Sequence, residues 1–327
     1  MRAVVIREFG APDVLQLDEV HDLSAGAGEV VIDVELANVT FVETQVRAGR
    51  PPNPAMLPAL PAILGNGVGG SVARVGAGVG SSLLGRRVVT GLTGTGGYAE
   101  QAVAAAARLI EVPDHMDLRD AVALLADGRT ALALMVLAQI RRGDTVLVEA
   151  AAGGVGTLLV QLARNAGARV IAVAGQERKL ATARDAGADV VIDYSDEDWP
   201  SRVRETAGGI DVVFDGVGGD TGLVAFGLLG SGGRFCPFGM ASGSFAPVTA
   251  ELARERGVTV LRSQPLDAEK LRALAAAALA EGTAGRIRPV IGQEFELADA
   301  AAAHAAIEAR ATIGKTLLRV RIKDGTG

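Results

Sequence analysis

One cysteine, Cys236, serves a chain of 327 residues. A lone thiol excludes an intrachain disulfide and any cysteine-rich structural zinc site. Its setting in Gly233-Arg-Phe-Cys-Pro-Phe reads as a strand, so a buried, inert thiol is expected. Histidine is scarce as well: His21, His115 and His304 lie far apart and form no H-x-x-x-H or H-E-x-x-H pairing, so no metal site is expected. Aromatic residues make up only 3%, which leaves Ala, Val, Leu and Ile to build the core. There is no basic run, and the net charge is −6, which speaks against a nucleic-acid partner. No apolar stretch approaches the about 18 residues of a membrane span; the one from Ala121 to Ile140 is broken by Asp127 and Arg129. In the opening Met1-Arg-Ala-Val-Val-Ile-Arg-Glu-Phe, Glu8 comes too soon for a signal-peptide core. A soluble, cytoplasmic protein with no membrane partner is the expectation.

What is present is a globular balance, 49% hydrophobic and 21% charged, with 43 glycines for tight turns and close helix–strand contacts. The first 120 or so residues are β-rich: Arg2–Arg7, Val14–Glu19, Val30–Ala37, Arg86–Thr90 and Tyr98–Val103 are short runs bounded by Gly, Pro or Asp, the spacing of a barrel or sandwich. The pattern changes near Asp117, a candidate cap for a helix over 120–125, with a second helix at about 130–140. Strands and helices then alternate from Thr145 onward, which predicts a doubly wound parallel sheet. After Leu266 an Ala-rich helix is followed by strand, helix and strand in the style of the first part. The expected organisation is α/β, with residues 1–122 and 266–327 forming one barrel-like domain around a Rossmann domain at 123–265.

Val146-Leu-Val-Glu-Ala-Ala-Ala-Gly-Gly-Val-Gly follows a strand and opens a helix, the context in which a glycine motif reads as a phosphate loop. Ala151 is expected to make the tight turn, Gly153 to let the backbone approach a pyrophosphate, and Gly156 to pack helix on strand. Ala152, Gly153, Gly154, Val155 and Gly156 are therefore candidate cofactor contacts, at a helix N-terminus suited to an anion. The bland alternative is a tight βα turn and no more. The next strand ends Val173-Ala-Gly-Gln-Glu-Arg-Lys, with no acid at its tip to take a ribose 2′-hydroxyl. Room for a 2′-phosphate and a nearby cation, Lys179 or Arg178, predict NADPH rather than NADH. Glu177 is the one acid close enough to oppose that.

With these residues in place the chain resembles the medium-chain dehydrogenase/reductase superfamily, in its zinc-free quinone oxidoreductase (zeta-crystallin-like) branch. The likeness runs through Met1–Leu15, Gly96-Gly-Tyr-Ala-Glu, Gly128-Arg-Thr-Ala, Ala150–Gly156, Ala186-Gly-Ala-Asp, Gly232-Gly-Arg and Gly314-Lys-Thr-Leu-Leu. It implies a GroES-like β-barrel domain on the substrate side, a Rossmann domain that binds NADPH, and a homodimer. It further implies Thr130 at the nicotinamide end, Gly175, Lys179 and Tyr194 around the 2′-phosphate, and Phe238 and Gly239 in a loop past the nicotinamide half. Where family members commonly read G-V-N-x-x-D, this chain has Asn38-Val-Thr-Phe-Val-Glu, so Thr40 and Glu43 stand for the asparagine and aspartate. Gly67 stands where an acid is customary, and Asn66 where zinc-containing relatives carry a histidine ligand.

The activity implied is hydride transfer from NADPH to a small-molecule quinone or other conjugated carbonyl. Such an acceptor delocalises the incoming charge itself and needs no metal. Thr40 is the candidate catalytic residue, as a hydroxyl that polarises the carbonyl. An enoyl reductase of a biosynthetic pathway and a non-catalytic dinucleotide-binding protein are the alternatives.

Overall fold

The β-branched runs of the first part form strands β1 (Arg2–Ile6), β2 (Gln16–Glu19) and β3 (Glu29–Val39), then helix α1 (Phe41–Arg47), then β4 (Ala62–Ile63), β5 (Gly67–Val75), β6 (Arg87–Gly91), β7 (Gln101–Ala105) and β8 (Ile110–Glu111). Helix α2 (Leu118–Ala138) leads into alternating elements: β9 (Thr145–Val148), α3 (Gly154–Asn165), β10 (Arg169–Ala174), α4 (Glu177–Asp185), β11 (Val190–Asp193), α5 (Trp199–Ala207), β12 (Ile210–Asp215), α6 (Gly219–Phe226), β13 (Leu229–Pro237), α7 (Ala250–Glu255) and β14 (Thr259–Val260). The chain closes with α8 (Ala268–Thr283), β15 (Ile291–Glu296), α9 (Ala300–Glu308) and β16 (Lys315–Arg319). The structure is a computed structural model and describes residues 1–321.

Two units result: Met1–Ala126 with Asp267–Thr283 and Pro289–Gly327, and Asp127–Leu266 with Ala284–Arg288. The expected border after residue 122 thus moves to Ala126, inside α2, and 284–288 belongs with the second unit. There the Arg286 and Arg288 carbonyls accept from Asn165 Nδ2 (2.7 Å) and Gln161 Nε2 (2.9 Å) of α3.

In the first unit β3 is the organising strand. It pairs antiparallel with β5, β7 and β16, within a sheet ordered β15-β16-β3-β5-β6-β8. Val30, Ile32 and Val34 of β3 are fully buried together with Ile6, Val68, Val88 and Tyr98. A smaller sheet, β2-β1-β4, stands beside it. Arg47 at the end of α1 is 1% exposed. Its guanidinium donates to the Gly10 carbonyl at 2.7 Å and pairs with the Glu308 carboxylate of α9.

The second unit is a six-stranded, wholly parallel sheet, ordered β11-β10-β9-β12-β13-β14. Strand order runs outward from β9 in both directions, so the switch point where ligands bind lies between the C-terminal ends of β9 and β12.

One reading of local structure is corrected. Helices expected over 120–125 and 130–140 are one helix, α2, of 21 residues. Gly128 costs a helix interior about 1 kcal/mol relative to Ala, which the burial of residues such as Leu124, Leu125, Ala131 and Leu134 outweighs. Its length and hydropathy would suffice for a membrane span, but 56% of its apolar window is buried within the protein. Helix α1 follows β3 after the single residue Thr40. Its start is a capping box: Glu43 Oε2 accepts from Thr40 N at 2.6 Å, the T-x-x-E pattern of a helix start.

Candidate functional site

The phosphate loop forms as the glycine pattern requires. A Cβ on Gly156 would stand 2.3 Å from the Ala150 carbonyl oxygen, so nothing larger than glycine lets α3 begin this close to β9. Gly153 is the N-cap of α3 and donates to Ala150 O at 2.8 Å, while Ala152 is buried and Gly154 and Val155 open the first turn. The tight turn itself falls on Ala150, at φ 47°, rather than on Ala151. A non-glycine residue in the left-handed region just past a strand's C-terminal end is strained, of the kind that clusters at ligand sites. Thr130 lies on α2 one turn beyond Asp127 and on the same face. Asp127 Oδ2 occupies the space beside Gly154, 2.0 Å from where a Cβ would be, so that face of α2 meets the start of α3.

The candidate 2′-phosphate residues come together at the tip of β10. The Tyr194 ring lies over Gly175, 3.4 Å from the position of a Cβ there. Gln176, at φ 70°, turns the chain into α4, and the half-buried Lys179 sits in its first turn. Glu177 faces outward: its side chain is 78% exposed and its Oε1 lies 3.6 Å from Arg184 Nη1. Asp193, which sequence reasoning passed over, accepts from Gln176 N (3.1 Å) and Ser195 N (2.8 Å) and so ties β11 to the start of α4. Burial works against its charge, but these hydrogen bonds and that of the Ser195 hydroxyl more than offset it and hold the carboxyl below the usual range. Phe238 and Gly239 follow β13. Both amides donate to Asp215 O, at 2.9 and 3.1 Å, and the Phe238 ring packs on Gly216. Except for Thr130, every candidate cofactor residue named from the sequence lies at the C-terminal edge of one sheet.

The first unit carries a cavity of about 830 Å³. Its walls are mainly apolar, among them Val42, Val46, Met56, Leu57, Ile63 and Leu64, and its polar side chains are Glu43, Asn66, Thr93 and Thr95. Among the described residues no Lys, Arg or His lines it. Thr40 is not among the wall residues, and its hydroxyl donates to Glu43 Oε2 at 3.1 Å.

Residues 26–114 match the family described as alcohol dehydrogenase GroES-like domain, and residues 154–279 the one described as zinc-binding dehydrogenase. A quinone oxidoreductase of Pseudomonas aeruginosa is 34% identical over 318 residues, 95% of this chain and 97% of the relative. A 2-haloacrylate reductase of a Burkholderia species is also 34% identical, over 97% of this chain and 98% of its own length. Among solved structures, a mycobacterial protein complexed with NADPH matches with a TM-score of 0.89 at 36% identity, over 98% of this chain and all of that one (100%). The Escherichia coli quinone oxidoreductase complexed with NADPH matches with a TM-score of 0.87 at 29% identity, over 98% of this chain and 100% of that one. The chain belongs to the quinone oxidoreductase branch of the medium-chain dehydrogenase/reductase superfamily.

Although one matched family is described as zinc-binding, this member of the quinone oxidoreductase branch does not fit a zinc ion. Among the described residues no three His, Cys, Asp or Glu side chains converge. Cys236 is buried in β13, and burial pushes its thiol up to about 12. His304 Nε2 is 3.0 Å from the Tyr98 hydroxyl; burial, aided by Arg47, pushes the imidazole down to about 3, so the ring is neutral. The purified protein is therefore expected to hold no stoichiometric zinc and to keep its activity in chelators. Elemental analysis showing one zinc per chain, lost together with activity, would overturn this.

Glu43 is the hub of the cavity wall, and the T-x-x-E pattern is the signal that could have found it. Its Oε1 accepts from Asn66 N at 2.7 Å while Oε2 holds Thr40, so one carboxyl joins the end of β3, the start of α1 and the segment before β5. Burial pushes this carboxyl up, opposed by the Thr40 and Asn66 amides and by Lys315. Tyr98 is fully buried beside it, and burial and the Glu43 charge push the phenol well up, so it stays protonated. Asn66 is half-buried and borders the cavity, and its side-chain amide, unlike its backbone N–H, makes no hydrogen bond to another described residue. Sequence reasoning noticed Asn66 only as a missing histidine.

Proposed function

We propose that the chain is an NADPH-dependent, metal-independent oxidoreductase whose acceptor is a neutral, apolar quinone or enone. The observation that carries the acceptor class is the cavity: apolar walls, no cation, and Glu43 as its one acidic side chain. An anionic acceptor would meet a carboxylate with nothing to pair with, and burying an unpaired charge is costly. The 2-haloacrylate reductase acts, by its name, on a conjugated carboxylate; this cavity favours the uncharged class.

The residues at the sheet edge fit NADPH. The loop 151–156 presents the α3 amides to a pyrophosphate, and Gly175, Lys179 and Tyr194 frame the 2′-phosphate. When bound, the cofactor supplies a hydride from its nicotinamide ring. The barrel unit's task is to hold the acceptor, exclude water and answer the charge that appears on the acceptor oxygen. Asn66 is the donor placed for that: its amide has protons to give, and Glu43 fixes its backbone. Thr40, whose hydroxyl proton is directed to Glu43, serves as the helix cap that keeps this arrangement in register.

A steady-state panel of wild type and Asn66→Ala tests both halves. Wild type is expected to oxidise NADPH with benzoquinone, naphthoquinone and neutral enones but not with 2-chloroacrylate. Asn66→Ala is expected to lower kcat about tenfold with KM little changed, less than for the donors of an acyl-transfer oxyanion hole because the acceptor already spreads its charge. Preferential reduction of 2-chloroacrylate would defeat the acceptor class. An unchanged kcat would remove Asn66 from the mechanism.

A further inference from the structure

Two carboxyl side chains stand together at the switch point of the Rossmann sheet and take no part in the reading above. Glu149 follows β9 directly, and Asp215 is the last residue of β12. Both are 0% exposed. Their oxygens converge on one donor: Val217 N lies 3.3 Å from Glu149 Oε2 and 3.1 Å from Asp215 Oδ1, and Asp215 Oδ1 also accepts from Gly218 N at 2.6 Å. The other oxygens, Glu149 Oε1 and Asp215 Oδ2, are buried and have no partner beyond the pair. A proton between the two carboxyls satisfies this arrangement; two adjacent carboxylates in a dry interior do not.

Among the described residues no cation acts on Glu149 to take the proton's place. Asp215 is the charged group acting on Glu149, and the Val217 amide is its one opposing hydrogen bond. Helix α6, beside Asp215, adds only another acid, Asp220. On β13, Cys236 is neutral, and Arg234 is committed to Asp144 (2.6 Å) and to the Ala138 and Gln139 carbonyls (2.6 and 2.7 Å). From α2, Asp127 adds a further acid beside Gly154.

Directly beyond Glu149 come the strained Ala150 and the phosphate loop, and directly beyond Asp215 comes Gly216, against which Phe238 packs. We propose that Glu149 and Asp215 share one proton beneath the dinucleotide loop, and that tight binding of NADPH requires this proton. The inference rests on NADPH being the cofactor. In this role Glu149 is a positioning residue: protonated, it donates to Asp215, whose other oxygen holds the Val217 and Gly218 amides. When the proton leaves, a second negative charge opens beneath a ligand that is itself polyanionic, and the two strand ends repel. Burial and the neighbouring Asp215 push the Glu149 carboxyl well up, the direction that favours the proton. A proton bound in the binding-competent state is lost as pH rises far enough to ionise Glu149, and affinity falls with it, by up to about tenfold per pH unit.

The test measures NADPH binding by fluorescence titration across neutral to alkaline pH, for wild type and Glu149→Gln, alongside infrared spectra of both without cofactor. The glutamine amide donates to Asp215 without a titrating proton. Wild type is expected to show a protonated-carboxyl carbonyl band at neutral pH, absent in Glu149→Gln, and an alkaline loss of affinity that the variant lacks. A merely structural role would give both proteins the same pH profile. No protonated-carboxyl band, or matching alkaline profiles, would overturn the proposal. Wild type that fails to bind NADPH at neutral pH would strike the cofactor reading instead, and the infrared arm would still decide the shared proton.

Discussion

Lys179→Ala is expected to weaken NADPH binding by about one to two powers of ten and to leave NADH binding nearly unchanged. A 2′-phosphate carries about −1.5 to −2 charges near neutral pH, by analogy with other phosphate monoesters. A charge-assisted hydrogen bond to it contributes roughly 1.5–3 kcal/mol. Lys179 is half-buried in the first turn of α4, whereas Arg178 is exposed; adjacent helix positions diverge by about 100°, so one of them faces the ribose. Glu177, the residue that would have favoured a 2′-hydroxyl, points to Arg184 and to solvent. Titrating both cofactors against wild type and variant checks this. Equal losses for NADPH and NADH, or a wild-type preference for NADH, would defeat the assignment.

Arg47→Ala is expected to destabilise the barrel unit by about 3 kcal/mol, the lower end of the range for breaking a buried ion pair. Arg47 is 1% exposed, but Glu308 keeps 27% of its side chain in solvent and recovers part of its hydration when the pair is broken. The loss also leaves the Gly10 carbonyl without its donor. Urea unfolding monitored by circular dichroism reads it. The double variant Arg47→Leu/Glu308→Leu, which removes both charges and keeps apolar volume, is expected to regain most of the stability. A single-variant loss below about 1 kcal/mol would class the pair with surface salt bridges.

The two-unit architecture and the dinucleotide edge were legible because they depend on local signals. Each strand of the parallel sheet is a short apolar run, and the glycines of 153–156 sit where backbone closeness forbids a side chain. The candidate cofactor residues depend on the same local signals: Gly175, Lys179 and Tyr194 all stand within a turn of a strand end. What was not legible depends on contacts between residues distant in sequence. The role proposed for Asn66 rests on Glu43 accepting from its backbone N–H, and Tyr98 meets His304 across 206 positions of chain. Glu149 and Asp215 lay in plain view as acids closing two apolar strands, but their pairing required knowing that β9 and β12 are neighbours. Helix α1 is too short, at seven residues, for a helical period to show, although the T-x-x-E pattern stands at its start.

Quinones and enones add to thiolates, so a protein that holds them for a living risks being alkylated by its own substrate. In this chain the single sulfhydryl sits inside β13, fully buried, and burial keeps its proton on to about pH 12. The nucleophile such acceptors seek is the thiolate, and at neutral pH this protein offers almost none. The single buried cysteine makes the fold chemically inert toward Michael addition at sulfur, a form of self-protection that costs the hydride chemistry nothing.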